Sequence, residues 1–196
     1  MCLENRVPLT PEAATSFLVG IFFDTGGFQH QTTSATLWCV GKLLRAGGNL
    51  DRVVEYLNHS TGPEALQVWG YALQNLSIED TPSLAHSRIP HSVLKKHNLS
   101  SKELQLDKLA LLIGTISESS FGLLATEYKE GKHKGSFRTD AFKNVDVERI
   151  ASQLGGGGHT YASGFRYDGD YAALLADIEQ AWHNKESSSV AGSVAE

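Results

Sequence analysis

Residues 155–164 read GGGGHTYASG, and this stretch decides what kind of domain the C-terminal half of the chain forms. Four consecutive glycines are costly in a helix or strand, because glycine loses the most backbone freedom on folding. A folded chain tolerates them where the backbone turns sharply or approaches a ligand closely. Their bare peptide N–H groups can form an anion site, and a histidine beside them adds a donor that titrates near neutral pH. We therefore predict a phosphate-binding loop made by Gly155, Gly156, Gly157, Gly158 and His159.

A flexible linker is the alternative interpretation of the glycine run. A linker would not normally separate an amphipathic helix, predicted at 145–154, from an apolar strand, predicted at 162–167. No Gly-Lys-Ser/Thr follows the glycines, which excludes a Walker loop. The run also follows a helix rather than a strand, which argues against a dinucleotide-binding turn. We therefore favour a loop that a ligand approaches closely.

Arg138 is the second candidate for phosphate binding. It lies in the segment SFRT, residues 136–139, where strand alternation directs Phe137 and Thr139 to one face and Ser136 and Arg138 to the other. A guanidinium group suits a bidentate contact with phosphate, although an arginine on a strand more often faces solvent. Several basic residues cluster around it in a chain of net charge −5. They are Lys129, Lys132, Lys134 and Lys143.

Helical and strand patterns divide the chain near residue 80. The first part is mostly helical, with helix starts predicted at Thr10-Pro11 and Thr33. The second part, residues 81–186, alternates strands and helices, with a hairpin turn at 129–132. We predict an α/β protein whose second domain is a small α/β unit with a mixed sheet. Residues 187–196 are small and polar, and we expect a disordered tail there.

Composition excludes several classes of protein. The pI of about 5.9 argues against a protein whose main feature is a clamp for long DNA, but permits a short oligonucleotide or nucleotide in a small site. Cys2 and Cys39 form no CxxC pair, so neither a disulfide framework nor a zinc finger is expected. No apolar run has the length of a membrane span, and the first residues do not resemble a signal peptide. We expect a cytoplasmic protein.

Three segments together resemble the C-terminal part of DHH phosphoesterases, a family that includes RecJ-like exonucleases and bifunctional oligoribonuclease/PAP phosphatases. The segments are SFRT, VDVERIASQL and GGGGHTYASG, and the GGGGH-x-x-A-small-G pattern is specific. Family members have Ala-Ala-Gly where this chain has Ala162-Ser163-Gly164, a small change. The resemblance implies that Arg138, the four glycines and His159 hold the phosphates and sugar of short RNA, dinucleotides or nucleotide phosphates.

Asp24 is the third candidate, at the end of the apolar run in GIFFDTGGF, residues 20–28. Taken alone, an aspartate there is more simply the cap of one element and the start of a turn. The stretch LTPEAATSFLVGIFFDTGGF resembles the part of the DHH catalytic domain that carries a late metal-binding aspartate, and this implies a manganese ligand. Residues 1–80 are then the helical C-terminal portion of that catalytic domain, and the resemblance extends from about residue 9 to 184.

The departure from the family is equally informative. A two-metal site of this family also uses an early Asp-x-Asp and the Asp-His-His triplet, and neither stands where the family needs it in this chain. One carboxylate cannot hold two metal ions well. We expect a fragment, a truncated gene product, or a chain that works with a second polypeptide carrying the missing motifs.

Three functions remain open from the sequence. The resemblance implies a metal-dependent phosphodiesterase or exonuclease-type hydrolase, with manganese as its cofactor when complete. The alternative is a nucleotide- or nucleic-acid-binding module without chemistry, which we favour for this chain alone. A remote alternative is an aspartic protease, since Asp24-Thr25-Gly26 matches Asp-Thr/Ser-Gly, in which two carboxylates share a proton. Aspartic proteases are nearly all strand, however, and this segment has a helical pattern.

Overall fold

The computed structural model describes residues 9–28, 32–58, 61–97 and 104–191. The chain forms two compact units, Met1–Ser60 and Thr61–Glu196, and each is described by itself. The division lies between Ser60 and Thr61 rather than at the predicted residue 80. The physical reason is that strand Ser77–Asp80 pairs with strand Ser83–Ile89 of the second unit, and helix Pro63–Gln74 packs on the same sheet.

The described residues of the first unit form three helices: α1 Pro11–Asp24, α2 Ser34–Arg45 and α3 Leu50–Asn58. Local chemistry sets the helix starts, as predicted. The Thr10 hydroxyl accepts a hydrogen bond from the Ala13 N–H, and Thr33 and Thr36 form a capping box at α2. Its core consists of Ala14, Leu18, Val40, Leu43 and Val53.

The second unit is a six-stranded mixed sheet with helices on both faces. Its helices are α4 Pro63–Gln74, α5 His91–His97, α6 Leu106–Gly114, α7 Val147–Gln153 and α8 Tyr171–Ala191. Its strands are β1 Ser77–Asp80, β2 Ser83–Ile89, β3 Phe121–Lys129, β4 Lys132–Arg138, β5 Gly157–His159 and β6 Ala162–Asp168. The spatial order is β1-β2-β3-β4-β6-β5, and only the β2–β3 pairing is parallel. The prediction of an α/β fold with a mixed sheet is confirmed.

Alternation along the strands supplies a separate core on each face of the sheet. On one face, Ala85, Ile89 and Leu124 pack against α4 and α6. On the other, Leu123 and Phe137 pack against α7 and α8. Residues that alternate with Phe137 along its strand therefore point away from α7 and α8, to the opposite face of the sheet.

Several predicted elements differ from the structure. Residues 157–159 form an edge strand rather than a loop, and β1 was not expected. Helix α8 continues to Ala191, so residues 187–191 are helical rather than part of the predicted tail, and 192–196 lie outside the described residues. Within the described ranges, no helix combines the length and apolar character needed to cross a lipid bilayer.

Candidate functional site

Strand pairing brings the candidate residues of the second unit onto one face of the sheet. His159 on β5 pairs with Ala162 on β6, which pairs in turn with Arg138 on β4. Cross-strand partners share a face, so the three side chains lie in one row that spans two strand spacings, about 10 Å. A parallel row on the same face lies two residues further along each strand and consists of Gly157, Gly164 and Ser136. We call this surface the open face; none of its six residues is buried.

Gly155 and Gly156 end helix α7. Gly155 has φ +75°, a conformation that favours glycine, and its N–H donates to the Ser152 carbonyl at 3.1 Å. The Gly156 N–H donates to the Ala151 carbonyl at 2.8 Å. Two of the N–H groups expected to bind phosphate are therefore already used within the fold.

Gly156 and Gly158 also allow close packing against β6. A Cβ atom on Gly156 would lie 2.3 Å from the Gly164 carbonyl oxygen, and one on Gly158 would lie 2.6 Å from the Ala162 oxygen. Both distances are far below a van der Waals contact, and Gly158 additionally has φ +149°. The glycine run therefore packs directly against β6, the strand that follows it.

Gly157 is different from the other three glycines. Its φ is not positive, and a Cβ atom added there would have no atom within 4 Å. The fold of the second unit gives no reason for glycine at this position. Its missing side chain instead leaves space on the open face, and because β5 is an edge strand, alternate N–H groups along it point away from β6. Gly157 is therefore where an external group can approach the backbone most closely.

The Arg138 side chain is held against α6 rather than extended into solvent. Its Nη2 lies 3.2 Å from the Asp107 Oδ1, its Nη1 donates to the Phe137 carbonyl at 2.8 Å, and 18% of the side chain is exposed. Gly114 makes this approach possible, because a Cβ there would lie 2.6 Å from the Arg138 Cβ. Burial lowers the pKa of Arg138, and the Asp107 carboxylate opposes that shift. The guanidinium is thus positioned at the edge of the open face.

The basic cluster noted in the sequence separates into structural and exposed members. Lys143 donates to the Gly114 and Ile116 carbonyls at 2.7 and 2.6 Å, and Lys132 pairs with Asp168 at 2.9 Å. Lys134 is exposed and shares its face with Arg138 through strand alternation. Its partner across the strands is Arg166, which is also exposed.

Sequence reasoning missed Arg166 as a residue of this surface. The alternation Ala162, Gly164, Arg166 could have indicated it, since all three side chains point to one side of β6. His159 is exposed on β5, at the end of the row that contains Arg138. The open face therefore combines small residues in its centre with cationic or titratable groups around them.

Asp24 occupies a different setting, in the first unit. It is the last residue of α1 and is exposed, and the buried Thr25 that follows caps the helix through the Ile21 carbonyl at 2.7 Å. The C-terminal end of a helix carries partial negative charge, which disfavours an added carboxylate. In the described part of the chain no three His, Cys, Asp or Glu residues group closely enough to hold a metal ion. His30, its neighbour in sequence, lies outside the described residues. Asp24 alone does not fit a two-metal site.

The helical setting of Asp24 also disagrees with an aspartic protease. Those enzymes are built almost entirely of strands, whereas Asp24-Thr25-Gly26 follows directly from α1 in a three-helix unit. The remote alternative drawn from this tripeptide is not supported by the α/β fold.

The fold and the open face define a class: a small α/β domain whose mixed sheet presents glycine-rich backbone beside fixed cations. Residues 91–184 match the DHHA1 domain family. These residues therefore resemble a DHHA1 domain, and the chain is similar to the C-terminal part of DHH-family phosphoesterases.

Curated relatives agree with this assignment. The chain is 27% identical over 165 residues to the bifunctional oligoribonuclease and PAP phosphatase NrnA of Mycoplasma pneumoniae, covering 84% of this chain and 48% of that protein. It is 28% identical over 177 residues to the NrnA of Thermus thermophilus, covering 90% and 49%. The chain thus spans about half the length of these relatives.

A solved structure shares the fold. An exopolyphosphatase-related protein from Bacteroides fragilis superimposes with a TM-score of 0.79 at 21% identity, covering 89% of this chain and 51% of that one. The similarity extends across most of this chain and confirms the α/β architecture.

Proposed function

We propose that this chain is the substrate-binding portion of a DHH-family phosphoesterase and that its open face holds the phosphates of short RNA, dinucleotides or nucleotide phosphates. The observation that carries the proposal is Gly157, the one glycine of the run whose lack of a side chain the fold does not explain. Gly157 lies in the row next to the one that contains Arg138 and His159. Together the three residues offer a phosphate access to backbone, a fixed cation and a titratable donor.

The substrate class follows from chemistry and from relatives. The similar NrnA proteins are named for activity on oligoribonucleotides and on PAP. Oligoribonucleotides present phosphates in series, and the open face has cations at separate points: Arg138 on β4, His159 on β5, and Lys134 with Arg166 further along. An extended chain of one or two phosphodiesters matches that spacing better than a single inorganic anion.

Arg138 would orient the substrate as well as bind it. Its contacts with Asp107 and the Phe137 carbonyl leave other guanidinium N–H groups available, and a guanidinium has five in total. A preorganised cation loses less side-chain entropy on binding than a free one. Arg138 would therefore fix the position of one phosphate oxygen while the backbone near Gly157 receives another.

For this chain by itself we propose binding without hydrolysis. Manganese is the cofactor expected of the family, but Asp24 is the one motif-matched ligand and it does not fit a metal pair. No step through a metal is therefore proposed, and a cytoplasmic location remains a prediction. Binding alone stabilises ground state and transition state about equally and lowers no barrier.

Isothermal titration of the full chain with a 5′-phosphorylated RNA dinucleotide tests this function. We expect Arg138→Ala to weaken binding by about 1.5–3 kcal/mol, the loss typical of a charge-assisted hydrogen bond. Arg149→Ala is the matched control, because Arg149 is an exposed arginine on α7, which packs on the other face of the sheet. Equal affinity of wild type and Arg138→Ala would remove Arg138 from the site.

A further inference from the structure

Two exposed aromatic side chains lie next to the open face. Phe142 is 79% exposed and Tyr161 is 42% exposed. Neither ring belongs to the hydrophobic core formed with α7 and α8. Other rings of the chain are also exposed, Phe23 and Tyr56 among them, but Phe142 and Tyr161 differ in lying close to Arg138 and His159 in sequence.

Tyr161 is held one residue from the row that contains Arg138 and His159. It lies with Thr160 in the two-residue turn between His159 and Ala162. The Tyr161 carbonyl accepts a hydrogen bond from the Thr139 N–H at 3.1 Å. The Thr160 carbonyl accepts from the Val147 N–H at 3.0 Å. The turn is therefore anchored on both sides while the Tyr161 ring remains accessible.

Phe142 is held in a similar way. It is the middle residue of a short 3₁₀ helix, Ala141–Lys143, that begins three residues after Arg138. The next residue, Lys143, fixes this helix to the end of α6 through the Gly114 and Ile116 carbonyls. A Cβ on the same Gly114 would meet the Arg138 Cβ, so the 3₁₀ helix and Arg138 adjoin one point of α6.

We propose that Tyr161 and Phe142 form a nucleobase subsite beside the phosphate-binding open face. This inference rests on the proposed function and specifies which part of the substrate the aromatic rings recognise. Base stacking on aromatic side chains accepts every base, because each base has a π-face. The rings would then give affinity for base-bearing ligands without selecting a sequence.

A nucleobase is a better occupant than an apolar protein surface. Among the described residues neither ring belongs to a hydrophobic cluster, and Asp140 and His159 lie two residues before Phe142 and Tyr161 in the chain. Protein interfaces bury a contiguous patch, whereas single-stranded nucleic-acid sites combine isolated aromatic platforms with cations that follow the backbone. The second pattern is the one present here.

The test compares two ligands that share a phosphate and differ in the base. Ribose 5-phosphate carries no base, and the 5′-phosphorylated adenine dinucleotide carries two. NMR titration of the full chain with each ligand measures affinity for wild type, Tyr161→Ala and Phe142→Ala. We expect each variant to lose about 5- to 100-fold in affinity for the dinucleotide and to bind ribose 5-phosphate as wild type does.

Two controls make the comparison specific. Tyr128→Ala removes a tyrosine of nearly equal exposure, 43%, from the hairpin end of β3, the opposite end from Arg138, and should change neither affinity. Tyr161→Trp should restore stacking, and a dinucleotide containing 2-aminopurine should lose fluorescence on binding to wild type but not to Tyr161→Ala.

The outcomes separate the two proposals. Dinucleotide affinity that is unchanged in both alanine variants overturns the nucleobase subsite and leaves phosphate binding in place. Equal losses for both ligands also overturn it, because they indicate damage to the phosphate site. Failure of wild type to bind either ligand overturns the proposed function and the subsite with it.

Discussion

Glu127 is a buried carboxylate that its neighbours keep ionised. It is 7% exposed, and its Oε2 accepts hydrogen bonds from the Arg88 Nη2 at 2.6 Å and the His91 N–H at 3.1 Å. The Gly131 N–H donates to its Oε1 at 3.1 Å. Burial raises the pKa of Glu127, but these hydrogen bonds outweigh burial and lower the pKa to about 2.

His133 lies across from Glu127 on the neighbouring strand and is fully buried. Burial lowers its pKa, which the Glu127 carboxylate opposes and Arg88 reinforces. Neither ring nitrogen makes a well-formed hydrogen bond with the described residues. A buried imidazole without strong partners favours its neutral form, so the folded chain resists protonation of this residue.

Stability should therefore fall as the solution becomes acidic, in two steps. The unfolded chain binds more protons than the folded chain wherever the folded pKa is the lower one. His133 contributes full stability above pH 6.5 and loses it as pH falls below that value; Glu127 loses its contribution between pH 4.5 and about 2. Urea unfolding at several pH values between 5 and 8 measures the first step.

His133→Leu isolates the source of that step. We expect the variant to keep its pH 7 stability to within about 1 kcal/mol, because an apolar side chain replaces a polar group without partners. Its stability should vary less between pH 7 and 5 than that of wild type. His159→Leu, which removes an exposed histidine, is the control and should retain the wild-type slope. A full slope in His133→Leu would assign the pH dependence to another residue.

At the scale of elements, the glycine run is one segment with two roles. Gly155 and Gly156 end α7, and Gly156 and Gly158 pack against β6. Gly157 has neither role within the second unit. A change at each position should therefore affect a different property.

We expect Gly157→Val to abolish phosphate binding and leave the fold intact. A Cβ atom added at Gly157 has no protein atom within 4 Å, so we expect the valine side chain to occupy the space that a ligand needs; valine also suits a strand. Titration with the RNA dinucleotide and circular dichroism together check both parts. Unchanged dinucleotide binding would mean that the glycine run serves only to shape the backbone.

Gly156→Ala is the matched opposite. Its methyl group would lie 2.3 Å from the Gly164 carbonyl oxygen, so β5 and β6 must separate. We expect a loss of about 1–3 kcal/mol in the free energy of unfolding, as for overpacked interior sites. Urea denaturation measures this loss. Wild-type stability of Gly156→Ala would show that the contact between the glycine run and β6 is looser than in this structure.

At the scale of the whole molecule, the prediction about catalysis depends on the number of metal ligands. Two-metal hydrolysis needs several ligands around ions about 3.5–4 Å apart. The sequence contains no Asp-His-His, and no group of three candidate ligands occurs among the residues that the structure describes. On our proposal the open face holds a substrate, and we assign no metal-assisted step to it.

We therefore expect the purified chain to leave a labelled RNA dinucleotide intact, with or without manganese. Chromatography of the products after prolonged incubation is the measurement. Turnover that Asp24→Ala stops would show that the catalytic site is complete after all. Turnover that appears only after adding a polypeptide with an Asp-His-His motif would support a divided enzyme.

Local physics made much of the fold predictable from the sequence. The caps at Thr10 and Thr33, the turn at 129–132 and the opposite directions of Phe137 and Arg138 depend on residues close together in the chain. Such features follow from hydrogen bonds within one turn and from the two-residue period of a strand. The composition of the glycine run likewise identified it as the segment to examine.

The tertiary structure alone decided which residues of that segment face outward. Nothing in GGGGH distinguishes Gly157 from Gly156, because the difference is the position of β6, a strand that pairs only after the chain has turned. The same holds for the two basic residues Lys143 and Arg138, which look alike in sequence. Lys143 donates to carbonyls at the end of α6, whereas Arg138 pairs with Asp107 beside the open face. Sequence spacing determines which residues are neighbours along the chain. Strand pairing and packing determine which residues are neighbours across the sheet, and therefore which backbone and side-chain groups remain free to bind a ligand.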